Sequence, residues 1–344
     1  MKQLRSVQEI GENWRVILRL DLDLPMEDGK VLDNSRLIKS IPTIKLLLAK
    51  NNKMVIIGHR GRPGGRDAKL SLKPVYTELM SLLSADGQRV IESVFVDEIR
   101  DSQMIEESLS VNQIVFGENL RFYAEEEANN LDLFEVLVGK CQAYVNDAFA
   151  VAHRSHASIM LYRVMPAFYG LSFIEETEKI EKVLTAERPL VVILGGAKED
   201  KMDYIGSLLT IADRVLVGGK LPQLASQFSI SNLQFSNKLV TGTLSNNGLD
   251  IDGETIGKFK EIINTAKTVV WAGAMGFYED PVNRRGTEEI ADAVANCQGY
   301  KIIAGGDTAA SVRNLGLIDK IDYVCSGGGV MLEYLTKGTL AAWE

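Results

Sequence analysis

The chain has 344 residues, 46% of them apolar, which is too much sequence for one small core and enough to fill two domains of ordinary size. Its 38 Lys and Arg stand against 46 Asp and Glu, and the net charge of −8 argues against a surface built for general nucleic-acid or anionic-membrane binding, so any basic site must be local. Three scattered cysteines without CxxC spacing encode neither a disulfide framework nor a zinc site, and no apolar stretch reaches the ~18 residues of a membrane span, so the expected setting is the cytoplasm.

In chain order, short β-branched runs recur: RVILRLDL from Arg15, KMVIIG from Lys53, SVFV from Ser93, QIVFG from Gln113 and AYVND from Ala143. A second series follows with PLVVILGG from Pro189, RVLVGG from Arg214, TVVWAG from Thr268, KIIAGG from Lys301 and DYVCSGG from Asp322. These runs are nearly continuous rather than alternating, which predicts strands buried on both faces. Between them RLIKSIPTIKLLLAKN, KMDYIGSLLTIA and GTEEIADAVANC repeat apolar residues at helical spacing. Strand, helix, strand repetition predicts an α/β fold: two Rossmann-like, doubly wound parallel-sheet domains. The stretch LSFIEETEKIEKVLTAERP reads as a charged, exposed hinge helix ended by Pro189. The expected division is 1–165, a linker over 166–188, 189–330, and a C-terminal segment over 331–344.

Ligands of open parallel sheets bind beyond the carboxyl ends of the strands, so the residues after each run carry the functional reading. In the first half they are Asp21, Asp23 and Arg36, then His59 and Arg62 in GHRGRP, Arg121 in ENLRF, and His153, Arg154 and His156 in VAHRSH. Arginine forks match phosphate and carboxylate oxygens, so several at one sheet edge suit a small, multiply charged anion. In the second half the endings are glycine pairs: Gly195 and Gly196, Gly218 and Gly219, Gly305 and Gly306, then Gly327, Gly328 and Gly329. Such turns expose backbone N–H groups to phosphates or let a flat base lie against the chain, with Lys198 and Lys201 adding mobile positive charge. Asp307 with Thr308 offers hard oxygens for Mg²⁺ between phosphates. Neither GxxxxGK[ST] nor a strand-linked GxGxxG is present, which disfavours a phosphate-loop ATPase and a dinucleotide dehydrogenase. A basic anion site on one domain and a glycine-lined nucleotide site on the other predict a two-substrate transferase. Trp271 reads as core, and His153 and His156 as supports for Arg154.

The blocks RLDLDLP, DNSRLIKSIPTI, GHRGRP, SLKPV, ENLRFYAEEE, YVNDAFAVAHRSHAS, VVILGGAK, AKTVVWAGAMGFYE, GGDTAASV and SGGGVMLEYLTKG run in order over nearly the whole chain. Together they resemble the phosphoglycerate kinase family. The resemblance implies that the first domain binds 3-phosphoglycerate or 1,3-bisphosphoglycerate through Asp21, Asp23, Arg36, His59, Arg62, Arg121 and Arg154. It implies a second domain holding Mg-ADP or Mg-ATP, with Gly195 and Gly196 near the base, Lys201 on phosphates, Glu279 on the ribose and Asp307 on the metal. Arg36, Lys198 and Lys201 would be the catalytic set, and the glycines at 305, 306 and 327 to 329 would offer backbone donors. It also implies a monomer that closes about a hinge, with small-molecule substrates as its only partners and a C-terminal tail returning to the first domain.

Several positions depart from the family pattern. Asp23 stands where the family has Asn, Ala272 where WNGP has Asn, and Ala304 where GGGDT has its first glycine. Lys201 comes one residue early after GGAK, Lys220 and Pro222 replace small residues after Gly219, and the stretch from about 228 to 250 is short. These departures leave two readings, an active kinase or a relative that binds nucleotide or phosphoglycerate without efficient transfer. A purely structural α/β protein does not account for the ordered blocks.

Overall fold

The computed structural model of the protein describes residues 4–85, 90–225 and 237–344. The chain divides into two compact units, Met1–Glu175 with Leu340–Glu344, and Glu176–Thr339.

The ten apolar runs all form strands. In the first unit these are β1 (Arg15–Leu20), β4 (Lys53–Ile57), β5 (Ser93–Val96), β6 (Ile114–Gly117) and β7 (Ala143–Asp147). Three short strands are additional: the hairpin β2 (Met26–Glu27) and β3 (Lys30–Val31), and β8 (Ala167–Tyr169). The sheet runs β5-β6-β4-β1-β7-β8 with every pair parallel. Both faces are covered, as the continuous runs require. Val16, Leu18 and Leu20 pack with Leu37, Ile44 and Leu79 on one side, while Ile17, Val55 and Ile57 pack with Ile105, Leu109 and Leu137 on the other.

The second unit holds β9 (Leu190–Leu194), β10 (Arg214–Val217), β11 (Leu239–Thr241), β12 (Thr268–Ala272), β13 (Tyr300–Ala304) and β14 (Tyr323–Cys325), all parallel in the order β11-β10-β9-β12-β13-β14. Chain order reverses between β9 and β12, the switch point where a doubly wound sheet opens a crevice. The strands also end level. Leu194 pairs with Val217 and Ala272, Val217 with Thr241, and Ala304 with Ala272 and Cys325. A glycine follows five of these ends directly, at 195, 218, 242, 273 and 305, and the sixth after Ser326.

Two sequence expectations change. The helix Leu171–Thr185 is not a solvated rod: Phe173, Glu176, Thr177, Ile180 and Val183 form a buried stripe at helical spacing. The division between the two units falls inside it, between Glu175 and Glu176. On the first-unit side, the Phe173 N–H donates to Asp147 Oδ1 at 2.9 Å and its ring meets Trp343 with centroids 5.7 Å apart. Trp343 belongs to the segment Leu340–Glu344, which Tyr169 Oη anchors by donating to Ala342 O at 2.8 Å. KMDYIGSLLTIA, read as one helix, is a 3-10 turn over Glu199–Tyr204 followed by the helix Ile205–Ile211. The short stretch at about 228 to 250 falls in part, up to 236, outside the described residues.

Candidate functional site

On the first unit the residues of interest lie on the carboxyl edge of the sheet. Asp21 and Asp23 follow β1, and Arg36 lies in the first turn of the helix Ser35–Ala49. Arg36 Nη1 donates to Asp21 Oδ1 at 2.9 Å and to Asp23 O at 3.0 Å. Its Nη2 and Nε have no partner among the described residues, and the buried Asp21 Oδ2 has none either. Asp23, the position where an added carboxylate was at issue, is absorbed locally: its Oδ1 accepts from the Gly61 N–H at 2.8 Å.

The GHRGRP loop after β4 is clamped from β6. Asn119, fully buried, accepts from the N–H groups of Arg60 and Arg121 and donates to Arg60 O and Leu70 O at 2.7 and 2.9 Å. Glu118 accepts from Ser71 Oγ at 2.7 Å and the Leu72 N–H at 2.8 Å. Arg121, buried, donates to Gly61 O and faces Glu127 at 3.3 Å. Burial pulls its pKa down from the ordinary arginine value, opposed by Glu127 and Asp23. His59 is buried and takes 2.8 Å from its Nδ1 to Arg19 Nη2. Burial, then Arg19, lowers its pKa well below the usual histidine value. Arg62 is exposed and Arg154 half-buried; neither side chain makes a hydrogen bond or ion pair to a described residue, although the Arg154 N–H donates to Val151 O at 3.0 Å. His156 faces the buried Glu126 at 3.9 Å, and burial with the arginines at 121, 154 and 19 lowers its pKa to about 4.

On the second unit the glycine turns after β9, β10 and β12 interlock. Gly195, Gly196, Gly218 and Gly219 donate their N–H groups to Ala272 O, Ala274 O, Leu194 O and Met275 O at 3.0, 2.7, 2.8 and 3.2 Å. This corrects the expectation that these pairs present free donors. Here glycine is needed because backbone meets backbone: a Cβ on Gly219, where φ is +62°, would stand 2.5 Å from Gly196 N. Lys201 closes the same crevice, with Nζ donating to Gly195 O at 2.7 Å and Ala272 O at 3.1 Å. Burial lowers its pKa to about 8, helped by the charge of Lys198. Lys201 lies in the 3-10 turn Glu199–Tyr204, which advances about 120° per residue instead of the 100° of an α-helix.

Free donors lie elsewhere on the edge. The helices Gly306–Asn314 and Gly328–Lys337 start after β13 and β14, and a Cβ on Gly305 would lie 4.0 Å from Gly328 N. The N–H groups of 306 to 308 and 328 to 330 have no acceptor among the described residues, so two positive helix ends lie together. Asp307 is exposed in the first of these turns, while Thr308 is buried and its Oγ1 accepts from the Gly273 N–H at 2.8 Å. Lys198, Lys220 and Glu279 are exposed, with no side-chain bond to a described residue. Trp271 is fully buried.

This arrangement matches a known family along its length. The model of the phosphoglycerate kinase family matches residues 7–232 and 224–338. The chain belongs to the phosphoglycerate kinase family. The phosphoglycerate kinase of Thermomicrobium roseum is 33% identical, with 96% of this chain and 96% of that protein aligned. That of Thermus thermophilus is 32% identical over 100% of this chain and 99% of its own. The crystal structure of phosphoglycerate kinase from Pyrococcus horikoshii superposes with a TM-score of 0.81 at 28% identity, covering 99% of this chain and 97% of that one. This chain therefore carries the two-domain α/β fold of the phosphoglycerate kinases.

Sequence reasoning missed four residues of the edge. Asn119 and Glu118 were visible only as part of ENLRF, and Arg19 and Ser158 were passed over inside a strand run and the HRSHAS block. Arg19 carried a signal, a cation next to the end of RVILRL with leucines on both sides.

Proposed function

We propose that the chain catalyses the reversible, Mg²⁺-dependent transfer of a phosphoryl group between 1,3-bisphosphoglycerate and ADP, giving 3-phosphoglycerate and ATP. The observation that carries this reading is the pair of converging helix starts at Gly306 and Gly328, a donor surface for nucleotide phosphates in a chain whose family is phosphoglycerate kinase. The first unit would bind the phosphoglycerate: Arg36 is already aimed by Asp21 with two guanidinium nitrogens unengaged, and the side chains of Arg62 and Arg154 are uncommitted cations of the same unit. His59, Arg121, Asp21 and Asp23 shape the same clamp.

The second unit would hold the nucleotide. Gly195, Gly196, Gly218 and Gly219 form a flat wall whose N–H groups are internally satisfied, which suits a base lying on it. Glu279 is exposed toward solvent and available to ribose hydroxyls. The donor chemistry fits magnesium: among the described residues no cluster of three or more ligating side chains exists, and Mg²⁺ takes one or two carboxylates together with phosphates and water. Asp307 would hold it, and the bound ion would neutralise phosphate charge. Arg36, Lys198 and the N–H groups of 306 to 308 and 328 to 330 would meet the charge spread over the transferring group, so catalysis is positioning and electrostatics with no covalent work by the protein. Lys201 would reach the phosphates by exchanging its two carbonyl acceptors for theirs.

Because the ligands bind separate units, transfer requires closure, and we place the hinge in the helix Leu171–Thr185, within which the division of the units falls. By analogy with the family we take the chain as a cytoplasmic monomer whose partners are small molecules; its net charge of −8 disfavours a surface for nucleic acid or anionic membranes, and among the described residues no helix is long and apolar enough to cross a membrane. The alternative is a relative that binds without transferring, favoured by the Lys201 ammonium being tied to Gly195 O and Ala272 O. Steady-state turnover of 3-phosphoglycerate with Mg-ATP, beside Arg36→Ala and Asp307→Ala, tests the proposal. Loss of about 10²-fold or more in each variant is expected. Binding of both ligands without turnover would leave the alternative.

A further inference from the structure

Arg19 is buried one residue before the carboxyl end of β1, and nothing in the proposed chemistry uses it. Its side chain is fully buried, and all three of its donating nitrogens are engaged: Nε on Ser158 Oγ at 3.1 Å, Nη1 on Leu20 O, and Nη2 against His59 Nδ1 at 2.8 Å. Ser158 is itself fixed, its Oγ donating to Glu126 Oε1 at 2.6 Å and its N–H to Glu126 Oε2 at 2.8 Å. Register explains the meeting: Arg19 pairs with Ile57 at the end of β4, two residues before His59.

A guanidinium has only donors. The ring nitrogen facing it must therefore be the lone-pair nitrogen, and a neutral imidazole then carries its proton on the other one. We propose that Arg19, backed by Ser158 and Glu126, is a positioning residue that holds His59 as the neutral Nε2–H tautomer, so that the ring offers an oxyanion a hydrogen-bond donor and takes no part in proton transfer. The hydrogen bond that the His59 ring makes to a described side chain is through Nδ1, to Arg19, which leaves Nε2 for a ligand. The charged groups around the ring act in one direction: Arg19 from β1, Arg36 from the helix Ser35–Ala49, Arg121 from the turn after β6 and His156 all oppose a second proton, and the acidic Glu126 lies behind Ser158, which bridges it to Arg19. The ring thus stays a fixed donor across the working pH range. This inference rests on the reading of the first unit as the phosphoglycerate site only for the identity of the oxyanion.

The test is a long-range ¹H–¹⁵N correlation spectrum of the ¹⁵N-labelled full chain, whose three histidines are assigned with single His→Gln variants. The expected result is a protonated Nε2 and an unprotonated Nδ1 for His59 at every pH between about 5 and 8. A proton on Nδ1, or a doubly protonated ring near neutral pH, in the unmodified chain would overturn the proposal without any variant. Arg19→Met is expected to mix the tautomers and let His59 titrate nearer the ordinary value of about 6.5, with Arg19→Lys restoring the single tautomer. An unchanged Nε2–H tautomer in Arg19→Met would also overturn it. In turnover, Arg19→Met should raise KM for 3-phosphoglycerate by about tenfold and leave KM for ATP alone, since one tenfold step corresponds to about one hydrogen bond. An equal rise in both would mark a general loss of structure and count against positioning. Adding 3-phosphoglycerate separates the two claims: the Nε2–H tautomer with no ligand-induced shift of its proton upholds the tautomer lock and overturns His59 as a substrate ligand.

Discussion

Substituting Gly219 tests whether the glycine turns serve close packing, because the structure fixes both terms of the cost. At φ +62° an alanine is held in the left-handed region, which costs about 1–2 kcal/mol. Its Cβ would stand 2.5 and 2.6 Å from Gly196 N and O and 3.0 Å from Ala274 O, all backbone atoms that no rotamer change can move aside. Overpacking of this kind adds about 1–3 kcal/mol, so Gly219→Ala should destabilise the second unit by about 2–5 kcal/mol. Gly257, exposed inside the helix Gly253–Asn264 with open space around its Cβ position, is the internal control, and Gly257→Ala should stabilise by about 0.5–1 kcal/mol. Trp271 is the one tryptophan of Glu176–Thr339, so urea unfolding followed by its fluorescence in a Trp14→Phe, Trp343→Phe background reports on that unit. With m of about 1–3 kcal/mol/M, the Gly219→Ala midpoint should fall by about 1 M or more. An unchanged midpoint for Gly219→Ala, with Gly257→Ala shifting as expected, would refute the interlocking turns.

Three further outcomes follow from the same contacts. Arg36→Ala should lower kcat/KM for 3-phosphoglycerate by about 10²–10³-fold while calorimetric titration shows unchanged nucleotide affinity, since the hydrogen-bond partners of the Arg36 side chain among the described residues, Asp21 and Asp23, belong to the first unit. Nucleotide affinity measured against pH should weaken as pH rises through about 8, where Lys201 loses its proton, and Lys201→Met should remove that step. The unfolded chain keeps the same proton up to a pKa of 10.5, so between those values it binds more protons than the fold and this group makes stability rise with pH. Glu176→Ala strips the carboxylate that accepts from the Ser326 N–H at 3.1 Å and from Cys325 Sγ at 2.8 Å, and should lower the stability of the second unit by about 1–3 kcal/mol while weakening nucleotide binding at the glycines that follow.

Sequence pattern and structure part company where contacts are non-local. Runs such as KMVIIG and PLVVILGG are legible as strands because burial on both faces leaves no polar alternation, whereas β8 and β11, three residues each, lack the run of glycines that marks the end of the equally short β14. The stripe Phe173, Thr177, Ile180, Val183 was present in the sequence of the linking helix, but its charged neighbours masked it. Glycine pairs disclose a permissive backbone without disclosing where the N–H points: at Gly195 to Gly219 the donors are spent on adjacent strand ends, and at 306 and 328 they are free because a helix begins there. The arginines of the first unit were legible as a set. Which of them are committed was not, since Arg19 and Arg121 are tied by partners far along the chain while Arg62 and Arg154 are not.

The most direct test of the account is a ³¹P NMR spectrum of the purified chain with 3-phosphoglycerate and Mg-ATP. The account predicts an acyl-phosphate resonance growing together with those of ADP, and its absence in Asp307→Ala. Unchanged ATP and 3-phosphoglycerate resonances, under conditions where both ligands are bound, would contradict it.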